Sequence, residues 1–584
     1  MDWFTDAETG AVVPVDSSLD LSEYTVVWTV NGGRYTGETV VFSVDIPPQV
    51  LTCDVTVSRG GVEVASAEFT MAVKYVRREI RSLTEDDRNM FLQTLRLLYD
   101  VSTDDGRALY GDKYLSAETL LFRHLNGAGR TDCDHWHDGA GIVVQHLAFT
   151  LLAEQALQAV EPSLAMPYWE YAMDTSLYRD WYDSAVFQDD WFGAASPANA
   201  DHAIERGLWA GVKLPDGAAY KTKWSVQKTG SLNPFVNGYG LMRSPWNNNP
   251  SPYIGRHNLT YGITTTKMPD CAVMSSCYAS KSLSGMTDCL NGVTHGPVHI
   301  LIGGNWGEGD VFQKNRDISF LQGMNKLLFF KNLWRAGFTR CPTSCDDTQV
   351  KCACAVPDEY ITRYGAQGIL ERAGVWDQMA GSLQKGDISD ATVLAALRAV
   401  EDPASVGEMF SSAAPYDPAF WPVHGQIDRV LSLKRVRLAQ GYLSSKTFSE
   451  EWGFAAKDKR YLAGRCDWTG VASVEDLTLP TCSFHVSNSS CFGHGENDLL
   501  DFDNFQGQGE TYTNGGFYEF MHPWNDALPY TYDTFDFDYC ADQGVDITTA
   551  DTAMGNGKNA ANAHTLMGAA GPHAPPPFIP VSGM

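Results

Sequence analysis

No stretch of this 584-residue chain approaches the roughly 20 consecutive apolar residues that carry a helix across a bilayer, so no membrane span is expected. Basic residues are also scarce: 43 Lys and Arg stand against 71 Asp and Glu, a net charge of −28. That balance argues against nucleic acid, whose binding is driven by cationic patches, and against anionic membrane surfaces. The opening residues, MDWFTDAETGAVV, are acidic and lack the basic-then-apolar form of a signal peptide. No internal repeat is visible, which excludes solenoids and arrays. The His-Glu-x-x-His signature of zinc hydrolases is absent too.

What is present is a globular composition, 44% hydrophobic and 20% charged, rich enough to build a sizeable core. Sixteen Trp and twenty-five Tyr suit both that core and an aromatic-binding cleft. Thirteen Cys are grouped rather than scattered. Cys341, Cys345, Cys352 and Cys354 lie together, and Cys271, Cys277 and Cys289 precede a pair of histidines. The C-x3-C-x6-C-x-C spacing fits paired zinc ligands poorly, so disulfides are the preferred reading. Disulfides imply an oxidising compartment, secreted or in the endomembrane lumen. The sequons at Asn258 and Asn488 agree with that.

Residues 1–74 read as strands with turn signals between them: Tyr24–Val30, Val40–Ile46, Leu51–Val57 and Ala67–Val73, with glycine pairs at Gly32-Gly33 and Gly60-Gly61. They predict a small all-β module, an immunoglobulin-like sandwich in class. From Val76 the period lengthens. Ser82-Leu-Thr-Glu-Asp-Asp offers a helix cap and an acidic first turn, and Ala117–His124 predicts a further helix. Residues 170–290 are loop-rich. A stretch at about 310–410 holds the Cys cluster and two predicted helices, Ile318–Leu333 and Asp390–Val400. Residues 441–548 form an acidic, aromatic extension, and 549–584 a tail predicted to be disordered.

The chemistry concentrates in three places. His137 and His146 lie nine residues apart, and an apolar stripe follows from Phe149 to Val160. This predicts a buried helix with His146 in its first turn and His137 in the loop before it. Two imidazoles against such a helix need hydrogen-bond partners or a metal. His295 and His299 stand at i and i+4, the spacing for two ligands to one ion on one helix face. His424 and Asp428 are four apart as well, suiting a ligand with a supporting carboxylate one turn on. His202 and His257 have no such spacing and are read as non-ligands.

These residues resemble a known family. His-Trp-His137-Asp-Gly-Ala-Gly with Pro167-Tyr-Trp-Glu-Tyr, His295-Gly-Pro-Val-His299-Ile-Leu-Ile-Gly-Gly and Asp417-Pro-Ala-Phe-Trp-Pro-Val-His424 look like the copper-binding regions of tyrosinases and catechol oxidases. The resemblance covers about residues 75–310 and 410–435, and all three patterns fall in the family's order. It implies a mainly α fold in which residues 75–440 hold two copper ions, the stretch at 310–410 being inserted. The first copper would take His124, His137 and His146, and the second His295, His299 and His424, with Asp428 in support. His124 is preferred because the family's first histidine lies further upstream. His135 remains an alternative ligand. Cys133 is a candidate for the thioether seen in some relatives, although it lies four residues before His137 rather than two.

The implied activity is oxidation of o-diphenols to o-quinones with O2 as co-substrate, the partner being a small phenol or catechol. Family members that hydroxylate monophenols well carry Asn directly after the first histidine of the second set and a Glu upstream. Here Gly296 takes that place, and residues 280–294 offer only Asp288, so diphenol oxidation is favoured. An oxygen carrier like molluscan haemocyanin, or a secreted structural protein that keeps the fold, would be the alternatives. The missing repeat speaks against the first, and the six histidines against the second.

Overall fold

The computed structural model describes residues 3–5, 12–14, 21–44, 47–129, 134, 136–137, 139–217, 235–244, 246–260, 266–307, 324–340, 353–378, 386–401, 404–454, 495–549 and 551. Cys133, His135, Asn488, Cys341, Cys345, Cys352 and the tail beyond 551 lie outside them.

The chain begins with strands: β1 (Trp3–Thr5) and β2 (Val12–Pro14) form a hairpin, and β3 (Tyr24–Val30), β4 (Gly33–Thr36), β5 (Gln49–Arg59) and β6 (Val62–Val73) an antiparallel sheet ordered β4-β3-β5-β6. Its small core is Val30, Leu51 and Cys53. The described residues thus give one four-stranded sheet, not the two facing layers of a sandwich. Residues 40–44, expected as a strand, are not paired.

Helices take over after β7 (Tyr75–Arg77). Thr84 caps α1 (Glu85–Asp100) by accepting from Asp87 N, and three acids fill the first turn, where the helix dipole favours negative charge. Ser102 and Ser116 cap α2 (Thr103–Tyr110) and α3 (Ala117–Ala128) in the same way. Next come α4 (Gln145–Val160), α5 (Tyr171–Leu177), α6 (Cys271–Tyr278), α7 (Leu283–Cys289), a π-helical segment (Leu290–His295) and α8 (Gly296–Gly303). Short strands β8 (Asn305–Trp306) and β9 (Ser405–Val406) pair across α9 (Met324–Arg335), α10 (Asp358–Tyr364), α11 (Ala366–Arg372), α12 (Val375–Gln378) and α13 (Asp390–Ala399). The long α14 (Phe420–Ala439) follows, then β10 (Leu499–Asp503), β11 (Thr511–Thr513), α15 (Asn514–Phe520), β12 (Tyr530–Tyr532) and α16 (Tyr539–Asp542).

Burial separates the described residues into three main cores. The largest runs from Tyr75 to Ile547 and takes in α1, α3, α4, α8, α14 and the segment after residue 495. The helices α9–α13 have their own core of Phe329, Leu333, Ile369, Leu370, Val393 and Leu397, joined by Trp246. The N-terminal sheet has the third. Segment 495–551 is bound into the main core by a parallel β12–β7 pairing and a Cys271–Cys540 disulfide. A second disulfide joins Cys277 and Cys289, and Cys354 is also disulfide-bonded. Among the described residues no helix is long and apolar enough to cross a membrane.

Buried guanidinium–carboxylate pairs brace the main core, three of them built on Arg77, Arg243 and Arg256. Arg77 pairs with Glu154 at 2.6 Å and Asp428 at 3.2 Å, with its guanidinium over the Tyr530 ring. Arg243 lies 2.8 Å from Glu408. Arg256 grips Asp417 with two parallel bonds of 2.6 and 2.5 Å, and Asp417 in turn accepts from Ala419 N at the head of α14. Such forks fix orientation as well as charge. Losing one partner would strand a buried ion.

Candidate metal centre

Four helices and the π-helical segment bring five of the histidines together. His124 lies on α3, His146 in the first turn of α4, and His424 in the second turn of α14. The helices α4 and α14 pack on each other; every residue of α14 up to Arg435 is buried, as are eleven of the sixteen in α4, as befits central helices. His295 ends the π-helical segment and His299 lies on α8. The π turn is where this continuous helical stretch departs from regular spacing. Pro297, which has no N–H to donate, follows two residues after His295. His137 lies on no helix.

Two clusters result: His124, His137 and His146, and His295, His299 and His424. In each, the nitrogens able to bind a metal lie within 4.8 Å of one another. The clusters face each other. The His146 and His424 rings stack with centroids 4.8 Å apart and planes 6° from parallel, and His146 is 5.8 Å from His295. Within the second cluster the Nε2 atoms of His295 and His424 approach to 2.9 Å.

Most rings are fixed from behind. His124 Nδ1 donates to Ser412 O at 2.7 Å, His299 Nδ1 to Met409 O at 3.1 Å, and His424 Nδ1 to Phe420 O at 2.9 Å. A carbonyl can only accept, so each ring carries its proton on Nδ1 and turns the Nε2 lone pair inward. The Nε2 atoms of His124, His146 and His299 are buried without a hydrogen-bond partner among the described residues. Buried polar atoms are normally satisfied. Several inward-facing lone pairs left open at one place therefore fit a metal, and neutral imidazole suits copper or zinc.

The electrostatics agree. Burial first, then neighbouring imidazoles, hold His124, His146, His295 and His424 well below the usual histidine range, and push His299 down to about 3. His137 is also lowered by burial, with Asp134 opposing the shift. All six are thus neutral at pH 7, the form that ligates.

Glycines set the supporting segment that carries Met409 and Ser412, whose Glu408–Phe410 part is a 3-10 turn. A Cβ on Gly303 would meet Phe410 N at 2.3 Å, and one on Gly407 would meet Gly255 O at 2.2 Å. Only glycine lets these backbones approach so closely. Glu408 accepts from Gly255 N at 2.8 Å and Ser412 N donates to Ser244 at 2.8 Å, which locks the segment. Phe420, 4.0 Å from His424, and Trp136, 5.0 Å from His124, wall the rings off from water.

Asp428 bonds to Arg77, Tyr530, Tyr532 and Ser432, none of them a histidine. The carboxylate that does meet a cluster histidine is Asp134, with both oxygens 3.0 Å from His137 Nδ1. Sequence reasoning passed over it, although its place three residues before His137 was a usable signal. His202 and His257 pair with each other instead, their rings 4.1 Å apart beside Trp306.

Residues 115–317 match the family model described as the common central domain of tyrosinase. A putative tyrosinase-like protein of Caenorhabditis elegans is 28% identical over 123 residues, which cover 21% of this chain and 15% of that protein. A solved polyphenol oxidase variant from Thermothelomyces thermophila aligns over 79% of this chain and 89% of its own at 14% identity and a TM-score of 0.36, a likeness too distant to bear on the fold.

Proposed function

We propose that this chain, whose residues 115–317 match the common central domain of tyrosinase, oxidises o-diphenols to o-quinones with O2 at a pair of copper ions. His124, His137 and His146 would hold one copper, and His295, His299 and His424 the other. The observation that carries this reading is the pair of facing histidine triads, with the Nε2 atoms of His124, His146 and His299 buried and unpartnered among the described residues. Copper, when bound, supplies the electron exchange between phenol and O2. Two catechols give four electrons and four protons, which reduce one O2 to two waters.

The protein's own part is positioning and exclusion. The carbonyls of Ser412, Met409 and Phe420 hold three rings in one tautomer. Phe420, Trp136 and Phe149 keep bulk water from the rings. His137, with about a quarter of its side chain exposed at 23%, marks the side on which a flat phenol could approach. Gly296 offers no side chain beside His295, so no group there would take the proton of a monophenol. That favours diphenols over efficient hydroxylation. The Cys271–Cys540 and Cys277–Cys289 disulfides fit an oxidising compartment.

The test is copper content of the purified chain together with oxygen uptake on a catechol and on a monophenol. Two coppers per chain with catechol turnover are expected, and weak or no monophenol turnover. Copper without turnover on either would favour oxygen carriage, and failure to bind copper would overturn the proposal.

A further inference from the structure

Among the described residues, His137 is the one cluster histidine held by a carboxylate. Asp134 is wholly buried. Its Oδ1 accepts from Trp136 N at 3.1 Å and His137 N at 3.0 Å, and both its oxygens take the His137 Nδ1 proton at 3.0 Å. Its Oδ2 meets two cations, Lys331, which donates to it, and Arg335 Nη2 at 2.8 Å. These two stand four residues apart on α9 and so share a face. A carboxylate buried this completely needs such partners to stay ionised.

The two cations do not come from the core that carries the histidines. The helix α9 belongs to the separately cored unit α9–α13. That unit is seated on the main core beside α3, where Trp334 Nε1 donates to Gly129 O at 3.1 Å. We propose that this inserted unit positions the first metal cluster: Lys331 and Arg335 hold Asp134, and Asp134 holds the His137 ring with its Nε2 turned inward. The inference rests on the copper reading above. His124 and His146 have helices to fix them. His137 has this relay, together with the bond from Asn291 Nδ2 to its carbonyl at 2.7 Å.

The experiment uses the copper-loaded full chain and a competing chelator, following the release of each copper. Combining Lys331→Met with Arg335→Met should speed the loss of one copper by about 10- to 100-fold, the usual cost of losing a group that supports a ligand, and leave the other unchanged. Lys331→Arg keeps the charge and should restore wild-type retention. Thermal unfolding of each apoprotein checks that the variants fold.

Unchanged release in the double variant would overturn the proposal. So would loss of both coppers together. A wild-type chain that holds no copper would instead defeat the copper reading. The relay is then read in apoprotein with 15N-labelled histidine. His137 should be protonated on Nδ1 in the wild type and lose that preference in the double variant, and an unchanged tautomer there would overturn the relay.

Discussion

The two histidine clusters reach the same chemistry by different means. In the second, all three residues lie on helical segments deep in the core, and backbone carbonyls fix two of the rings. A backbone acceptor needs no partner of its own to stay in place. In the first, His137 lies outside any helix, keeps 23% of its side chain exposed and depends on a carboxylate that in turn depends on two cations. The second cluster is therefore specified by secondary structure, whereas the first has one ligand, His137, specified by a chain of long-range charge pairs. A cluster of the first kind can be adjusted from a distance, whereas one of the second kind resists it.

Removing one ligand from each half tests this most strongly. His424→Ala should drop the copper content from two per chain to one, because no water can take the place of a ring enclosed by Phe420 and its neighbours. His137→Ala should only weaken the first copper, since solvent reaches that side. Equal loss in the two variants, measured as metal per chain after gel filtration, would break the contrast. Next in size is the Cys277–Cys289 disulfide, which spans 12 residues and ends at the π-helical segment before His295. Replacing both by Ser should lower the unfolding free energy of the apoprotein by about 2–4 kcal/mol in denaturant titration.

A smaller loss, about 1–3 kcal/mol, is expected for Gly303→Ala, whose methyl group has backbone at 2.3 Å on the Phe410 side. A shift in thermal midpoint would report it, and copper release should quicken in the second half. The least change should appear in proton release. Depressed imidazole pKa values mean that the folded rings are already neutral well below the ordinary value near 6.5. Copper uptake at pH 5 should thus liberate few protons, and His299, at about 3, contributes almost none. What release there is should come from His137, where Asp134 opposes the burial effect. Calorimetry in two buffers of different ionisation enthalpy would count the protons, and several per chain would contradict this.

Much of the second cluster was legible in the sequence because local spacing carries it. The i, i+4 pair His295 and His299 lies on one helical stretch, and Gly303 and Gly304 stand where backbones close. The Thr84 cap and the helix from Asp390 also appear where the local signals put them. Less was legible where the determining partner is remote. Nothing near Asp134 announces Lys331 or Arg335, about two hundred residues on, because charge pairs leave no period. The separate core of α9–α13 was hidden for the same reason: of its five helices among the described residues two were anticipated, and residues 318–323 of the one expected over Ile318–Leu333 lie outside the described residues. Asp428 had the right spacing to His424, yet its hydrogen bonds run to Arg77 and two tyrosines.

The Arg77 cluster also bears on the order in which this molecule can be made. Its strand pairs in parallel with Tyr530–Tyr532, and its guanidinium reaches Asp428 and Tyr532 across 351 and 455 residues of sequence. At ribosomal speeds of about 5–20 residues per second, a newly made Arg77 waits roughly 20 to 90 s for its last partner. Until then the strand has no mate, and closing the main core would trap a half-paired cation. A product stopped short of Tyr530 would keep all six cluster histidines and still lack the pieces that let the core shut around them.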